Sequence, residues 1–206
     1  HARLIANPGC YTTTSILALT PLVKEKIIEP NSIIIDAKSG VSGAGRQSAR
    51  GFSYSEVNEN FKAYKIASHR HTPEIEQELS KLINSEIKIS FTPHITPMTR
   101  GILVTCYARL SDHYTYKQIR EVYQKFYADE YFIRLYDEGK FPETKNTTGS
   151  NYFDLGFTID ERTNRIVAIG VLDNLVKGAA GQAIQNMNLV LGLDEKLGLE
   201  QNPLFP

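Results

Sequence analysis

The most reactive side chain in the sequence is Cys10, the last residue of the segment Asn-Pro-Gly-Cys at 7–10. Proline and glycine favour a tight turn, and a helix predicted from about Tyr11 would place Cys10 at its start. Unpaired N–H groups and the helix dipole at such an end lower the pKa of a thiol and stabilise an oxyanion. The segment predicts a nucleophilic cysteine. A small buried cysteine at a strand–helix junction is the alternative.

The second candidate is the segment His69, Arg70 and His71, which stands directly before Thr72-Pro73. A hydroxyl followed by proline predicts a helix start with Thr72 as its N-cap. An imidazole near a cysteine can form a thiolate–imidazolium pair and then transfer protons. A solvated polar loop is the alternative interpretation.

Two further segments are rich in glycine. Residues 39–51 form a predicted loop, and small residues within 38–46 free backbone amides to surround an anion, with Arg46 adding a charge. A plain flexible surface loop is the alternative. Arg100 could add a second guanidinium, although a surface salt bridge explains it equally well. At 173–182 a polar pair ends a strand and a glycine-spaced helix begins, which allows close packing and a ligand contact from Asn174. Cys106 is expected to be a packing residue within a strand.

Predicted strands and helices must bring these residues together. Hydrophobic periodicity predicts strands at 3–6, 32–37, 63–67, 87–92, 101–110, 151–159 and 165–172. It predicts helices from Tyr11 with a possible kink or end at Pro21, from Thr72, around 119–127, and at 177–191. Neighbouring strands in pairs favour an α+β fold, with a mixed, largely antiparallel sheet and helices packed on one face.

The composition excludes several classes of protein. The 206 residues carry 23 basic and 23 acidic side chains, which argues against a dedicated nucleic-acid binder and a polybasic membrane anchor. No apolar run approaches the roughly 20 residues that span a bilayer. The two cysteines favour free thiols in a reducing, cytoplasmic compartment, and no histidine or cysteine spacing predicts a metal site. The dinucleotide fingerprint GxGxxG and the phosphate loop are both absent.

Five motifs in order resemble those of the N-acetyl-gamma-glutamyl-phosphate reductase family, within the semialdehyde dehydrogenase superfamily. They are Asn-Pro-Gly-Cys-Tyr, Lys-Ser-Gly-Val-Ser-Gly-Ala-Gly-Arg, His-Arg-His-Thr-Pro-Glu-Ile, Pro-His-Ile-Thr-Pro-Met-Thr-Arg-Gly and Asp-Asn-Leu-Val-Lys-Gly-Ala-Ala-Gly-Gln-Ala. The resemblance runs from Ala6 to about Leu191. Aspartate-semialdehyde dehydrogenases share the first and last motifs but not the histidine segment.

The resemblance implies an NADP-dependent reduction of an acyl phosphate, in arginine biosynthesis, through a cysteine thioester. It implies that Cys10 is the nucleophile and His71 the acid/base, with His69 as second choice. Candidates for phosphate and carboxylate contacts are Ser39, Gly40, Arg46, Arg70 and Arg100. Asn174 and Gly178 would approach the nicotinamide.

The resemblance also implies a fold like the C-terminal domain of glyceraldehyde-phosphate dehydrogenase, with an N-terminal Rossmann domain missing. We therefore expect residues 1–176 to form a catalytic and dimerisation domain. Residues 177–206 would pack on the missing cofactor-binding domain, and the chain alone would lack useful reductase activity. The implied partners are a small acyl phosphate, inorganic phosphate and further copies in a homodimer or homotetramer.

Three other interpretations stay open. The substrate could be a neighbouring acyl phosphate, as in aspartate- or aminoadipate-semialdehyde dehydrogenases. Cys10 and His71 could instead serve a cysteine hydrolase that needs no nicotinamide. A catalytically idle assembly module would have an ordinary thiol at Cys10. The choice between NADP and NAD is also left open.

Overall fold

A seven-stranded mixed sheet lies at the centre of the molecule, in the order β2-β3-β1-β4-β7-β6-β5. The computed structural model describes residues 2–46 and 49–204. The strands are β1 Ile34–Ser39, β2 Lys62–Ala63, β3 Ser90–Ile95, β4 Ile102–Arg109, β5 Ile133–Leu135, β6 Phe153–Asp160 and β7 Arg165–Leu172. The helices are α1 Cys10–Lys24, α2 Tyr54–Val57, α3 His71–Ile83, α4 Tyr116–Phe126 and α5 Gly181–Leu191.

The strand pairing confirms the predicted fold class. Strands β1 and β3 are parallel, as are β5 and β6. The other neighbouring pairs, including the long β4–β7 and β6–β7 pairs, are antiparallel. The sheet is thus mixed and largely antiparallel, as the neighbouring pairs of predicted strands indicated.

The core lies between one face of this sheet and the helices. Alternate residues of β4, from Ile102 to Ala108, are fully buried, while Leu103, Thr105 and Tyr107 on the other face are half-buried. Helix α1 lies on β4 and β7 and packs against α3 and α4. Its burial fixes the direction of its N-terminus, and therefore the position of Cys10. Cys106 is buried in this core, which confirms its predicted packing role.

Two predicted strands were wrong. The segment 3–6 contains no strand, because Leu4 is 88% exposed and Ile5 is 45% exposed, with no neighbouring strand to pair with. Of the segment predicted at 63–67, only Ala63 lies in a strand, which is the two-residue strand Lys62–Ala63. Lys65 and Ala67 adopt positive φ angles that end the extended chain. The short strand β5 carries too few residues to show a period of two.

The helix boundaries also differ from the prediction. Thr72 does not cap α3, which begins one residue earlier at His71 and has no side-chain cap. Pro21 lies inside α1 without ending it, since the helix continues to Lys24. The helix predicted from residue 177 starts at Gly181, and Val176–Ala180 forms a single π-helical turn before it. Such turns insert one extra residue and are frequent at functional sites.

Candidate active site

A cavity of about 320 Å³ lies where four segments meet: the turn before α1, the loop after β1, the start of α3 and the π-helical turn. Its lining includes seven of the predicted site residues, namely Cys10, Ser39, His69, Arg70, His71, Asn174 and Gly178. Ser42, Gly43 and Gly45 of the predicted glycine-rich loop also line it, as do Tyr11 and Tyr64, which the sequence analysis did not select as site residues. The fold thus brings distant segments of the chain into one concave site.

Cys10 is the first residue of α1, and Gly178 lets the π-helical turn approach it closely. A side chain on Gly178 would place its Cβ 2.8 Å from the Cβ of Cys10, so the π-helical turn packs directly against the cysteine. The expected lowering of the pKa of Cys10 is not found. Burial raises the pKa of the thiol, while the N–H groups of Tyr11 and Cys10 and the charge of Arg70 oppose this effect. Desolvation therefore outweighs the helix terminus.

The imidazole of His71 packs on the cysteine turn. A Cβ on Gly9 would overlap the Nε2 atom of this ring and lie 2.6 Å from its Cε1 atom. Burial lowers the pKa of His71, whereas the carboxylate of Glu74 raises it in part. The buried Nδ1 atom of His71 has no hydrogen-bond partner among the described residues. Cys10 and His71 thus line the same cavity with no side chain on Gly9 to separate them.

His69 is held in a different way. Its Nδ1 atom accepts a hydrogen bond of 3.1 Å from the backbone N–H of His71, and its Nε2 atom lies 3.4 Å from the hydroxyl of Tyr64. Burial, together with nearby positive groups, lowers the pKa of His69 to about 4. The Nδ1 atom of His69 is thus engaged in a hydrogen bond, whereas Nδ1 of His71 has no partner among the described residues.

Glu74, which the sequence analysis did not select, joins α3 to the cysteine turn. One carboxylate oxygen accepts a 3.0 Å hydrogen bond from the N–H of Gly9, and the other accepts a 2.8 Å bond from the hydroxyl of Thr12. An acidic side chain in the first turn of α3 was the available signal. Its role needed the tertiary structure, because its partners lie more than 60 positions away along the chain.

Asn174 connects the end of β7 to two loops. Its Oδ1 atom accepts a 2.7 Å hydrogen bond from the N–H of Gly101, and its Nδ2 atom donates to the hydroxyl of Ser42 at 2.9 Å. The hydroxyl of Ser39 donates to the carbonyl of Gly40 at 2.9 Å. These bonds hold the glycine-rich loop against the wall of the cavity that Asn174 forms.

Three predicted contact residues are not among those that line the cavity. Gly40 packs on backbone, since a Cβ there would lie 2.6 Å from the amide nitrogen of Arg100. Arg46 is exposed. The Nε atom of Arg100 lies 2.7 Å from a carboxylate oxygen of the fully buried Asp173, without the alignment of a hydrogen bond. Arg70 is the predicted guanidinium that does reach the cavity.

Comparison with known proteins identifies the family. The model of the semialdehyde dehydrogenase dimerisation domain matches residues 10–174. The chain belongs to this family. Its long β4, β6 and β7 strands and its cysteine helix lie within the matched range. The resemblance drawn from the five motifs is confirmed at this level.

Two similar curated proteins carry the same name. A protein of Lachnoclostridium phytofermentans named N-acetyl-gamma-glutamyl-phosphate reductase is 57% identical over 205 residues, which is 100% of this chain and 59% of that protein. A protein of the same name from Campylobacter jejuni subsp. doylei is 55% identical, covering 97% of this chain and 58% of its own length. The chain therefore spans less than two thirds of the length of the relatives it matches.

Solved structures share the fold at low sequence identity. A probable aspartate-semialdehyde dehydrogenase from Pseudomonas aeruginosa aligns with a TM-score of 0.73 and 18% identity, covering 91% of this chain and 62% of that one. An aspartate-semialdehyde dehydrogenase from Candida albicans, solved with NADP, aligns with a TM-score of 0.62 and 18% identity over 87% of this chain and 55% of its own. Between residues 2 and 204, outside the gap at 47–48, no helix is long and apolar enough to cross a membrane.

Proposed function

We propose that the full protein containing this chain reduces N-acetyl-glutamyl 5-phosphate to N-acetylglutamate 5-semialdehyde with release of phosphate, a step of arginine biosynthesis. The observation that carries the proposal is the shared cavity of Cys10 and His71, with the imidazole packed on Gly9. The name of the curated relatives supports the choice of substrate. The catalytic assignment of both residues is part of the proposal.

In the first half of the reaction, His71 takes the proton of the Cys10 thiol. The sulfur attacks the acyl carbon of the substrate, and the carbon–oxygen bond to phosphate breaks, which leaves a thioester on Cys10 and free phosphate. Because burial raises the pKa of Cys10, the thiolate forms as the proton moves to His71 rather than resting in the free state. The N–H groups of Cys10 and Tyr11 stabilise the developing negative charge.

In the second half, an NADPH held against Asn174 and Gly178 would supply the hydride that reduces the thioester. His71 donates its proton to the oxygen of the resulting thiohemiacetal and recovers it when the carbon–sulfur bond breaks to release the aldehyde. Asn174 and Gly178 form the wall of the cavity beside Cys10, and a nicotinamide ring would lie against this wall. A cavity of about 320 Å³ suits the reactive end of a dinucleotide, and the remainder would bind to a separate domain.

Exposed apolar side chains in residues 177–204 support the predicted division of the chain at residue 176. Residues 177–204 have two faces: Lys177, Gln185, Asn188 and Leu199 are buried within this chain, while a second set of apolar side chains is exposed. That exposed set comprises Ile184, Met187, Leu189, Val190, Leu191, Leu193 and Leu197. We propose that this apolar face packs on the cofactor-binding domain. Without that domain, the chain would lack useful reductase activity.

The open face of the sheet is the proposed surface for a second copy. The family is described as a dimerisation domain, and the outward residues of the central strands include Ile34, Leu103, Tyr107 and Val167. Ile34 is 42% exposed in the single chain. A homodimer would cover these side chains, which a monomer leaves in water.

The decisive experiment compares substrates and variants of the full-length protein. Phosphate-dependent oxidation of N-acetylglutamate semialdehyde should exceed that of aspartate semialdehyde and of the aminoadipate analogue. Cys10→Ser should abolish the reaction, and His71→Asn should lower kcat by roughly 10²–10⁴-fold. A preference for another semialdehyde would reassign the substrate. Turnover of simple esters without nicotinamide would support the hydrolase. An ordinary thiol pKa at Cys10, measured by the pH dependence of alkylation, would support the assembly module.

A further inference from the structure

A buried lysine that this mechanism does not use lies directly behind the active site. Lys177 is 4% exposed and belongs to the π-helical turn that packs on Cys10. Its ammonium donates a 2.7 Å hydrogen bond to Oε1 of Gln185 and lies 5.4 Å from the ring centroid of Phe132. Burial lowers the pKa of Lys177 to about 8, although the carboxylates of Glu195 and Glu130 oppose this shift. A buried ammonium is costly, so its presence requires a reason.

The anchor of Lys177 extends into α5 and beyond it. The carbonyl oxygen of the Gln185 side chain also accepts a 3.1 Å bond from Nδ2 of the fully buried Asn151. The amide nitrogen of Gln185 donates to Glu195 at 2.9 Å. This chain of contacts fixes the ammonium from one side, while the aromatic face of Phe132 holds it from another.

The residue after Lys177 is Gly178, whose backbone is in contact with the Cys10 side chain. The N–H of Gly178 donates to the carbonyl of Asp173 at 2.9 Å, a contact that belongs to the same turn. A shift of this turn would therefore change both the exposure and the position of Cys10. A displacement of about 1 Å at a reacting group can cost roughly 10²-fold in rate.

We infer that Lys177 is a positioning residue for Cys10: its ammonium, anchored on Gln185 and Phe132, holds the π-helical turn so that Gly178 seats against the cysteine. The kinetic consequence rests on the proposed function, but the seating of Cys10 does not. When the anchor is lost, the turn releases Cys10, which gains solvent access and loses part of the desolvation that raises its pKa. The thiol then reacts faster with a small alkylating agent while it performs worse in catalysis.

The test uses Lys177→Met in the full-length protein, with Lys196→Met as the matched control. Lys196 also faces an aromatic ring, at 4.8 Å from the centroid of Tyr131, but its charged partner is Asp194 and it belongs to no part of the π-helical turn. Rates of iodoacetamide modification are measured separately for Cys10 and Cys106 by peptide mass spectrometry. Lys177→Met should raise the Cys10 rate by roughly tenfold, the effect of losing one charged hydrogen bond, and leave Cys106 unchanged. Lys196→Met should change neither.

The buried Cys106 makes the result decisive, because general unfolding exposes both cysteines. Equal acceleration of the two, or no acceleration of Cys10, would overturn the inference. In the kinetic arm, kcat should fall with little change in KM, since Lys177 does not line the substrate cavity. If Lys177→Met does not fold, Gln185→Met removes the acceptor and is judged by the same criterion. If the parent protein reduces no acyl phosphate, the proposed function is refuted. The iodoacetamide modification rates of Cys10 and Cys106 would still test the role of Lys177.

Discussion

At the scale of single residues, the charge of Glu74 acts on both members of the proposed catalytic pair. It raises the pKa of Cys10 and of His71, and its two oxygens hold the cysteine turn through Gly9 and Thr12. The carboxylate therefore has an electrostatic cost for the thiol and a benefit for the imidazole.

Glu74→Gln should separate these effects, because the amide keeps an oxygen that can accept a hydrogen bond but removes the charge. We expect the pKa of Cys10 to fall, and the pH profile of Cys10 alkylation measures this. Glu78→Gln is the matched control, since Glu78 lies on the same helix and pairs with Lys81 instead. An unchanged or raised Cys10 pKa in Glu74→Gln would contradict the assignment.

His69 should make stability depend on pH. Its pKa is about 4 in the folded chain, against 6.5 for an ordinary histidine. Between these values the unfolded chain binds a proton at His69 and the folded chain does not, so stability falls as the pH falls from 6.5 to about 4. His69→Asn keeps an acceptor for the His71 N–H and lacks the titration.

Urea unfolding at several pH values checks this prediction. His69→Asn should lose less free energy of unfolding than the parent as the pH falls across that window. His113→Asn, which replaces an exposed histidine, should follow the parent. Parallel curves for the parent and His69→Asn would show that His69 does not resist protonation.

At the scale of elements, the site depends on how closely α1 and α3 approach each other. The turn before α1 has ordinary extended backbone at Gly9, with φ −67° and ψ 152°, so an alanine there meets no backbone strain. Glycine is required because the ring of His71 occupies the space of a Cβ. The contact between the two helices thus sets the identity of this residue.

Gly9→Ala should therefore displace the imidazole and lower kcat by roughly 10²-fold, the cost of about 1 Å of misplacement. Gly51→Ala is the control, because the nearest atom to its added Cβ is the end of Lys62, 3.8 Å away. Steady-state kinetics of the full-length variants measure the effect. Parental kcat in Gly9→Ala would show that His71 need not stay in this position.

At the scale of the whole molecule, the open sheet face should hold two copies together. Ile34→Asp places a charge on the outward face of β1, where burial in a dimer would desolvate it. We expect this variant to sediment as a monomer, while Ile34→Thr, which keeps a β-branched side chain, remains dimeric. If the Ile34→Asp variant remains dimeric, the interface does not include the open face of the sheet.

The candidate site residues and most of the long elements could be predicted from local patterns in the sequence. The Asn-Pro-Gly-Cys turn, the histidine segment and the glycine-spaced segment at 173–182 are local patterns, and seven of the predicted residues meet in one cavity. The apolar run at 166–172, which Asp173 ends, is equally local, and β7 was predicted with its observed bounds, Arg165–Leu172. Short or unpaired segments carry too little pattern to be assigned.

The balance between helix-terminus stabilisation and burial at Cys10 could not be predicted from local patterns, because it depends on how the folded chain packs. The helix terminus predicts an acidic thiol at Cys10, but the packing of distant segments buries it, and desolvation depends on that packing. His69 and His71 carry the same ring two positions apart, but they have different contacts in the folded chain. His69 accepts a hydrogen bond from the N–H of His71, and His71 packs on Gly9. Glu74 and Lys177 act through residues far along the chain or on another element, and such contacts exist only once the chain has folded.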